Sequence, residues 1–335
     1  MSSSDRINQL FIDFNRLKVL IIGDVMIDTY YRGKVDRISP EAPVPIVLVH
    51  HEEHRLGGAA NVALNVRAME AKPVICSVIG NDEKGRIFID LCEKVGISTE
   101  GVVLSDNRIT TVKTRVIGNN HQLLRVDSED LFDIDKEAGE ELLKRIKKII
   151  SAGDIDAIIF EDYDKGLLSE KLISDIIGEA KKAGIPTTAD PKKKNFFFYK
   201  AVDLFKPNLK ELREGTNLEI SGFQDAEFKQ AVQALKLKLG AKMVFVTLSD
   251  EGVFLASDSQ EIHIPAHLRD IADVSGAGDT VISIASLCLA LEQDEQMIAF
   301  LSNLAGGLVC EKVGVVPVDK EVLLQEAISS VKLGR

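Results

Sequence analysis

Regular alternation between short apolar runs and helix-forming stretches of ten or more residues constrains this chain more than any other feature. From residue 136 the sequence reads as a helix to about 151, a strand at 157–160, a helix over 169–183 and strands at 187–189 and 204–205. A helix from Asn208, another over 226–239 and a strand at 243–247 continue the pattern. Strands separated by helices cannot close as hairpins. They must cross over and lie parallel, with helices on both faces of one sheet. The apolar run 18–22, ending in Gly23-Asp24, and the run 73–79 extend the pattern toward the N-terminus, because strands buried on both faces need not alternate. Asn81-Asp82 caps a helix running to Val95, and a helix to about Glu70 follows Gly57-Gly58. The expected fold is a three-layer α/β domain over residues 1–335, with a mostly parallel central sheet and no linker, repeat or low-complexity tract.

Two stretches break the alternation. Pro40, Pro43 and Pro45 forbid a helix, and 44–49 reads as an extended edge strand. Residues 111–117 and 122–126 alternate with strand period around Gly118-Asn119-Asn120, a hairpin signal. Strands from about 30–53 and 109–127 are therefore expected to form a small separate β-sheet, placed as a lid.

Net charge is −11, from 41 Lys and Arg against 52 Asp and Glu, the wrong balance for a nucleic-acid surface. Trp is absent and aromatics are only 5%, so no base-stacking platform is evident. Cys76, Cys92, Cys288 and Cys310 are far apart in apolar segments, with neither metal-ligand nor redox spacing; buried free thiols suit a reducing compartment. The N-terminal stretch is polar and no segment is apolar enough over a sufficient length to span a bilayer. A cytoplasmic protein with neither membrane nor nucleic-acid partner is expected.

The chemistry concentrates in Asp273-Val274-Ser275-Gly276-Ala277-Gly278-Asp279-Thr280, which runs directly into the apolar stretch 281–291. Two glycines before a buried helix let backbone N–H groups approach an anion, with the positive end of the dipole behind them. A carboxylate there would repel an anion unless it has a task of its own. Asp279 fits as the acceptor of a proton from an attacking hydroxyl, while N–H groups of Gly276, Ala277 and Gly278 hold a phosphoryl group in transfer. The plainer alternative is a glycine-rich turn capped by Asp and Ser. Other polar clusters fall where parallel strands should end, the edge at which such sheets collect ligands. They are Asp24 and Asp28, then Asp162-Tyr163 with Lys165-Gly166, and Asp190-Pro191-Lys192. Asn208 with Glu211 and Thr247-Leu248-Ser249 with Gly252 complete the set. Asn208 and Glu211, three apart at a helix start, share a face; an amide and a carboxylate there suit a hydrated Mg²⁺ that touches phosphates. Read singly, each cluster is an ordinary cap or turn.

Gly57-Gly58-Ala59-Ala60-Asn61 together with the 273–279 motif resembles the paired signatures of the ribokinase (PfkB-type) sugar-kinase family, over nearly the whole chain. Residues 23–30, 37–45, 111–115, 122–127 and 162–166 resemble more closely its heptose-phosphate kinase branch, the kinase domains of bacterial ADP-heptose synthases. The resemblance implies a ribokinase-like fold and ATP-dependent phosphorylation of D-glycero-D-manno-heptose 7-phosphate at its anomeric hydroxyl, on the way to lipopolysaccharide core. Asp279 is then the catalytic base, and Asp28, Gly57, Gly58 and Asn61 hold the sugar hydroxyls. Asn208 and Glu211 belong to a magnesium-associated Asn-x-x-Glu motif. Asp190, Lys192, Asn208, Thr247, Ser249 and Gly252 lie by the nucleotide, with Asn303 and Gly306 near the adenine. Arg37, Lys113, Arg115 and Arg125 of the lid, and Lys165 from the main sheet, are the candidate clamp for the substrate's own phosphate. ATP and Mg²⁺ are the implied cofactors, a monovalent cation is an open addition, and a homodimer through lid edges follows family habit. Ser275 stands where many members carry Thr, and Glu161 where the nearer branch carries Ser, a change expected to alter a turn without removing chemistry. Bifunctional relatives carry a nucleotidyltransferase domain with a His-x-Gly-His motif; this sequence lacks that motif and reads as a kinase alone. A ribokinase-like kinase for an unphosphorylated sugar or nucleoside, and a non-catalytic sugar sensor on the same fold, are the rival readings.

Overall fold

A computed structural model describes residues 3–332 apart from 219, 221 and 268, so both extreme ends of the expected 1–335 span lie outside the described residues. In chain order the strands are β1 (Lys18–Gly23), β2 (Val25–Ile38), β3 (Pro45–Gly58), β4 (Lys72–Gly80), β5 (Ser98–Ser105), β6 (Val112–Gly118) and β7 (His121–Ser128). They continue with β8 (Ala157–Glu161), β9 (Thr187–Asp190), β10 (Leu204–Phe205), β11 (Met243–Thr247), β12 (Val253–Ala256) and β13 (Glu261–Ile264). Nine of them form one sheet in the order β13-β12-β11-β10-β9-β8-β1-β4-β5. It is parallel from β11 to β5 and antiparallel only at β12 and β13.

Period-two geometry explains why the central strands are apolar throughout. Val19 and Ile21 of β1 enter the core on one face, Leu20 and Ile22 the core on the other. The first core is closed by the helices Ser3–Asp13, Ala59–Ala68, Glu83–Lys94, Ala277–Ala290, Glu295–Cys310 and Lys320–Lys332, the second by Lys136–Ser151, Glu170–Ala183, Leu209–Thr216 and Ala226–Leu239. The three-layer α/β expectation is met. Ala277–Ala290 is buried on all sides, and its few polar groups are spent internally: Ser283 Oγ donates to Asp279 O at 2.6 Å and Thr280 Oγ1 to Asn65 Oδ1 at 3.0 Å. All four cysteines are buried free thiols, and no helix among the described residues is long and apolar enough to cross a membrane.

The second sheet has the order β3-β2-β6-β7. Its hairpin turns through Asn119 and Asn120, at φ 51° and 67°, the I′ geometry that the Gly118-Asn119-Asn120 signal implies. Its long strands differ from the expected 30–53 span: β2 begins at Val25 and β3 runs to Gly58. A single residue, Asp24, separates the two sheets. Its N–H donates to Glu161 O and its carbonyl accepts from Ala59 N, so the turn expected after Gly23-Asp24 shrinks to one peptide unit. Helix Ser3–Asp13 and strand β5 have no counterpart in the sequence reading. The first buries Ile7, Leu10 and Phe11 within a polar stretch, and the second carries the poor strand formers Glu100 and Gly101 in its first half.

Candidate active site

Parallel register gathers the polar strand ends onto one edge. Gly23 pairs with Glu161, Glu161 with Asp190, and Phe205 with Ala189, which delivers Lys206 beside Asp190. Above this row, helix Ala277–Ala290 starts from Gly276, whose φ of 82° suits glycine and where a Cβ would stand 2.9 Å from Asn61 Nδ2. Asp279, in the first helical turn, therefore faces the row. Side-chain oxygens of Glu161, Asp190 and Asp279 lie within 4.8 Å of one another, all buried.

Two ammonium groups balance part of this charge. Lys206 Nζ is 2.7 Å from Asp190 Oδ2 in a pair that is almost wholly buried, and Lys192 Nζ is 2.5 Å from Glu211 Oε1 and 3.8 Å from Asp190 Oδ1. Burial alone would lower the pKa of Lys206; Asp190, and then Glu211, reverse the sign and raise it. Asp279 is pushed up to about 6 by burial, against the hydrogen bond from Asn61, with Asp190 adding to the rise and Tyr163 and Lys206 opposing it. Asn61 Nδ2 donates to Asp279 Oδ2 at 2.6 Å, and Tyr163 OH donates to Oδ1 at 2.9 Å. A carboxylate poised near 6 is mostly ionised at neutral pH and only weakly solvated, which suits a general base.

Glu161 is fully buried and neither of its carboxyl oxygens has a hydrogen-bond partner. Burial first, then Asp190 and Asp279, raise its pKa well above the usual range. Because the folded value exceeds the unfolded one, the associated stability is fully present at acid pH and is lost as pH climbs through the folded value. Glu161→Gln, an isostere of the neutral acid, should therefore melt with the wild type near pH 4 and above it at higher pH. The gap should widen by ~1.4 kcal/mol per pH unit until the folded pKa is passed. Melting curves between pH 4 and pH 8 check this, and a gap that does not change with pH rejects it.

The residues expected to hold the sugar lie on β2, β3 and β6 and at the start of the helix after β3. Asp28 is opposite Arg55 on β3 and Lys113 on β6, and Tyr30 is opposite Arg115. Arg115 Nη1 donates to Asp28 Oδ1 at 2.5 Å, and Asp28 packs so closely on Gly57 that a Cβ there would meet Oδ2 at 2.4 Å. Gly58 takes φ 61° at the start of the helix that carries Asn61. Asp28, Gly57, Gly58, Asn61 and Asp279 thus converge from segments far apart in sequence. Lys113 and Arg115 share a face as their spacing implies, and Arg125 on β7 stands directly opposite Arg115. Arg115, Arg125 and Lys165 already hold carboxylates, of Asp28, Asp127 and Glu129 respectively. Lys113 has no ion pair among the described residues and lies 5.9 Å from the centroid of the Tyr163 ring.

A cavity of about 580 Å³ opens on the other side of the 276–279 turn. Eight of the residues singled out from sequence line it: Asn208, Thr247, Ser249, Gly252, Ala277, Gly278, Asn303 and Gly306. Asn303 Nδ2 donates to Pro265 O, and a Cβ on Gly306 would meet Val281 at 2.7 Å, so that glycine also lets two helices approach. Asp190 and Lys192 sit apart from this lining, in the ion-pair network near Asp279.

Three placements differ from the reading of the sequence. Arg37 is exposed nine residues beyond Asp28 on β2, past two irregularities in register, and does not join the other cations. Asp24 accepts the N–H groups of Tyr163, Lys165 and Leu167 at 2.9, 3.2 and 3.3 Å, so it organises the loop after β8. Asn208 and Glu211 close a reciprocal capping box, each side chain accepting the other's N–H at 2.8 Å. Sequence reasoning did not single out Lys206, or the role of Tyr163, whose cluster at the end of β8 was noticed but whose hydroxyl finds Asp279 116 residues away.

The chain and its fold have relatives. A family model described as pfkB family carbohydrate kinase matches residues 16–321. The chain is similar to the "Bifunctional protein HldE" of Campylobacter curvus, 37% identical over 89% of this chain and 62% of that protein. It is also similar to that of Desulfatibacillum aliphaticivorans, 38% identical over 92% and 63%. It thus spans under two thirds of the length of these relatives. Among solved structures, phosphofructokinase-2 from Escherichia coli in complex with potassium superposes with a TM-score of 0.77 at 17% identity, over 96% of this chain and 99% of that one. Ribokinase from Arabidopsis thaliana complexed with ribose and ATP gives 0.69 at 17% identity, over 92% and 99%.

Proposed function

Because the chain belongs to the pfkB family of carbohydrate kinases, we propose that it uses ATP to phosphorylate D-glycero-β-D-manno-heptose 7-phosphate at the anomeric hydroxyl. The 1,7-bisphosphate so formed would feed ADP-heptose and lipopolysaccharide core synthesis. The protein is a phosphotransferase with an alcohol group as acceptor. The observation that carries the finer reading is one cationic face of the small sheet, with Lys113 and Arg115 two apart on β6 and Arg125 opposite Arg115 on β7. In a chain of net charge −11, such a face suits a sugar that already bears a phosphate.

In the proposed reaction Asp279 takes the proton of the sugar hydroxyl as its oxygen bonds to the γ-phosphorus of ATP. The bond from that phosphorus to the bridging oxygen breaks, and ADP leaves with the electron pair. N–H groups at the 276–279 helix start receive the charge on the transferring phosphoryl group. The 580 Å³ cavity has the size and lining for the nucleotide, placing its phosphates toward Gly278. Mg²⁺, when bound, neutralises phosphate charge. Asn208 and Glu211 would hold its waters only through the lone pairs left over by the capping box and by Lys192, which bind Glu211 Oε2 and Oε1. Closure of the small sheet excludes water that would hydrolyse ATP. Leu48, Leu123, Leu124 and Val126, exposed on that sheet, suit pairing with a second copy. We place the protein in the cytoplasm, where ATP is available, acting as a kinase.

A kinase for a neutral sugar is the second reading, favoured by the carboxylates already paired with Arg115, Arg125 and Lys165. ADP release measured with heptose 7-phosphate, the unphosphorylated heptose, fructose 6-phosphate and ribose decides between them. Heptose 7-phosphate should give the highest kcat/KM, and a neutral sugar in first place overturns the proposal.

A further inference from the structure

We infer that Tyr163 is a positioning residue for the base: its hydroxyl fixes the Asp279 carboxylate, and the loop that presents it is held by Asp24. The inference rests on the reading of Asp279 as the base.

Asp279 has two anchors of different character. Asn61 binds Oδ2 from the helix just after the 57–58 glycines, and Tyr163 binds Oδ1 from the loop that follows β8. With one donor on each oxygen, rotation about the bond to the carboxylate is stopped, and each oxygen keeps a lone pair for an incoming hydroxyl. A base held in one orientation reacts from more of its collisions than one that swings.

The loop that carries Tyr163 is buried or half-buried along its length and is tied down at several points. Asp24 accepts the N–H of Tyr163, of Lys165 and of Leu167, which wraps the loop around one carboxylate. Asp164 takes φ 54° inside that wrap, and a Cβ on Gly166 would stand 2.0 Å from Phe132 O, so the path admits little variation. Arg108 Nη2 donates to Lys165 O from outside at 2.8 Å. Two ammonium groups also approach the Tyr163 ring, Lys113 of the small sheet at 5.9 Å and Lys192 after β9 at 5.6 Å from its centroid. Backbone, ring and hydroxyl are each tied to a different element, and the hydroxyl points at the base. This arrangement also gives buried Asp24 a role that direct contact with the sugar does not supply.

Tyr163→Phe keeps the ring and removes only the donor. Other groups facing Asp279 stay in place: Asn61 from its helix, Glu161 at the end of β8, Asp190 at the end of β9, and Lys206 after β10. A hydrogen bond donated to a carboxylate favours its ionised form, so its loss makes Asp279 harder to ionise. The acid limb of the kcat/KM profile should move to higher pH, and kcat should fall on the order of tenfold, as for one lost charge-assisted hydrogen bond. Replacing Tyr163 with 3,5-difluorotyrosine, a stronger donor, should move the limb the opposite way. The same shifts should appear without substrate in the carboxyl ¹³C titration of the free protein, with the Asp279 signal identified by its absence in Asp279→Asn.

The failures are distinguishable. Wild-type turnover in Asp279→Asn removes the base reading itself. An inactive Asp279→Asn beside a Tyr163→Phe profile that superimposes on wild type overturns the positioning inference alone. A fall in kcat with neither the limb nor the carboxyl titration displaced also overturns it, because Tyr163 then serves only to pack the loop.

Discussion

Asp279→Asn should lower kcat by ~10²–10⁴ while leaving ATP affinity near that of the wild type. The amide keeps the side chain's shape and can still bond to Asn61 or Tyr163, the two donors at 2.6 and 2.9 Å. What it lacks is an oxygen basic enough to accept the sugar's proton. Asp279 is not part of the nucleotide cavity lining, which is why binding should survive. The wild-type profile adds a signature. Since the carboxyl titrates at about 6, activity should fall below that pH as the base becomes protonated and be full above it. A variant that keeps more than about a tenth of wild-type kcat would mean that proton removal is not Asp279's task.

The second large effect concerns sugar selectivity. Lys113→Met should weaken kcat/KM for heptose 7-phosphate by roughly ten- to a hundredfold, the worth of one charge-assisted contact of ~1.5–3 kcal/mol. Turnover of the unphosphorylated heptose should hardly change. Among the lid cations Lys113 is the one to test, because Arg115 and Arg125 already hold Asp28 and Asp127. Burial, and then Lys165 nearby, lower its pKa, the state expected of a cation waiting for an anion. Arg115→Met serves as the contrast. It releases the Asp28 carboxylate proposed to hold sugar hydroxyls, so both sugars should suffer. An unchanged phosphate preference in Lys113→Met rejects Lys113 as part of the clamp and leaves the substrate standing.

Much of the fold could be read from the chain because strand ends in a parallel sheet announce themselves. An apolar run stops, polar residues follow, and register does the rest, as Gly23, Glu161 and Asp190 show. Part of the 580 Å³ cavity's lining was legible for the same reason: Asn208 and Gly278 sit at helix starts, and Thr247, Ser249 and Gly252 at a strand end and the turn after it. Asn303 and Gly306, by contrast, lie inside helix Glu295–Cys310 and came with the family resemblance. Contacts between distant segments were not legible. Asn61 and Asp279 are 218 residues apart, and nothing local in either says that they meet. Asp24 and Asp28 look equivalent in sequence, yet a one-residue joint sends the first into a nest of N–H groups and the second onto Arg115. Arg37 failed because spacing alone cannot tell how far β2 extends before it reaches solvent. Glu161 read as a harmless change at a turn, because the cost of burying a carboxyl depends on neighbours from other strands.

The joint at Asp24 has a mechanical consequence. β1 ends at Gly23 and β2 begins at Val25, while β3 passes directly into the helix starting at Ala59. The small sheet is therefore a cantilever with its fulcrum at the edge of the large one, rather than a flap on a tether. Displacement along a cantilever grows with distance from the root. At ~3.3 Å per residue, a tilt of ~10° moves Asp28, four residues out, by ~2 Å and the end of β2, fourteen residues out, by ~8 Å. Residues nearest the sugar would then shift by about the length of a hydrogen bond while the tip sweeps several times as far. Mutations near the tip should alter how often the site opens, and mutations near the fulcrum how well it is formed when closed.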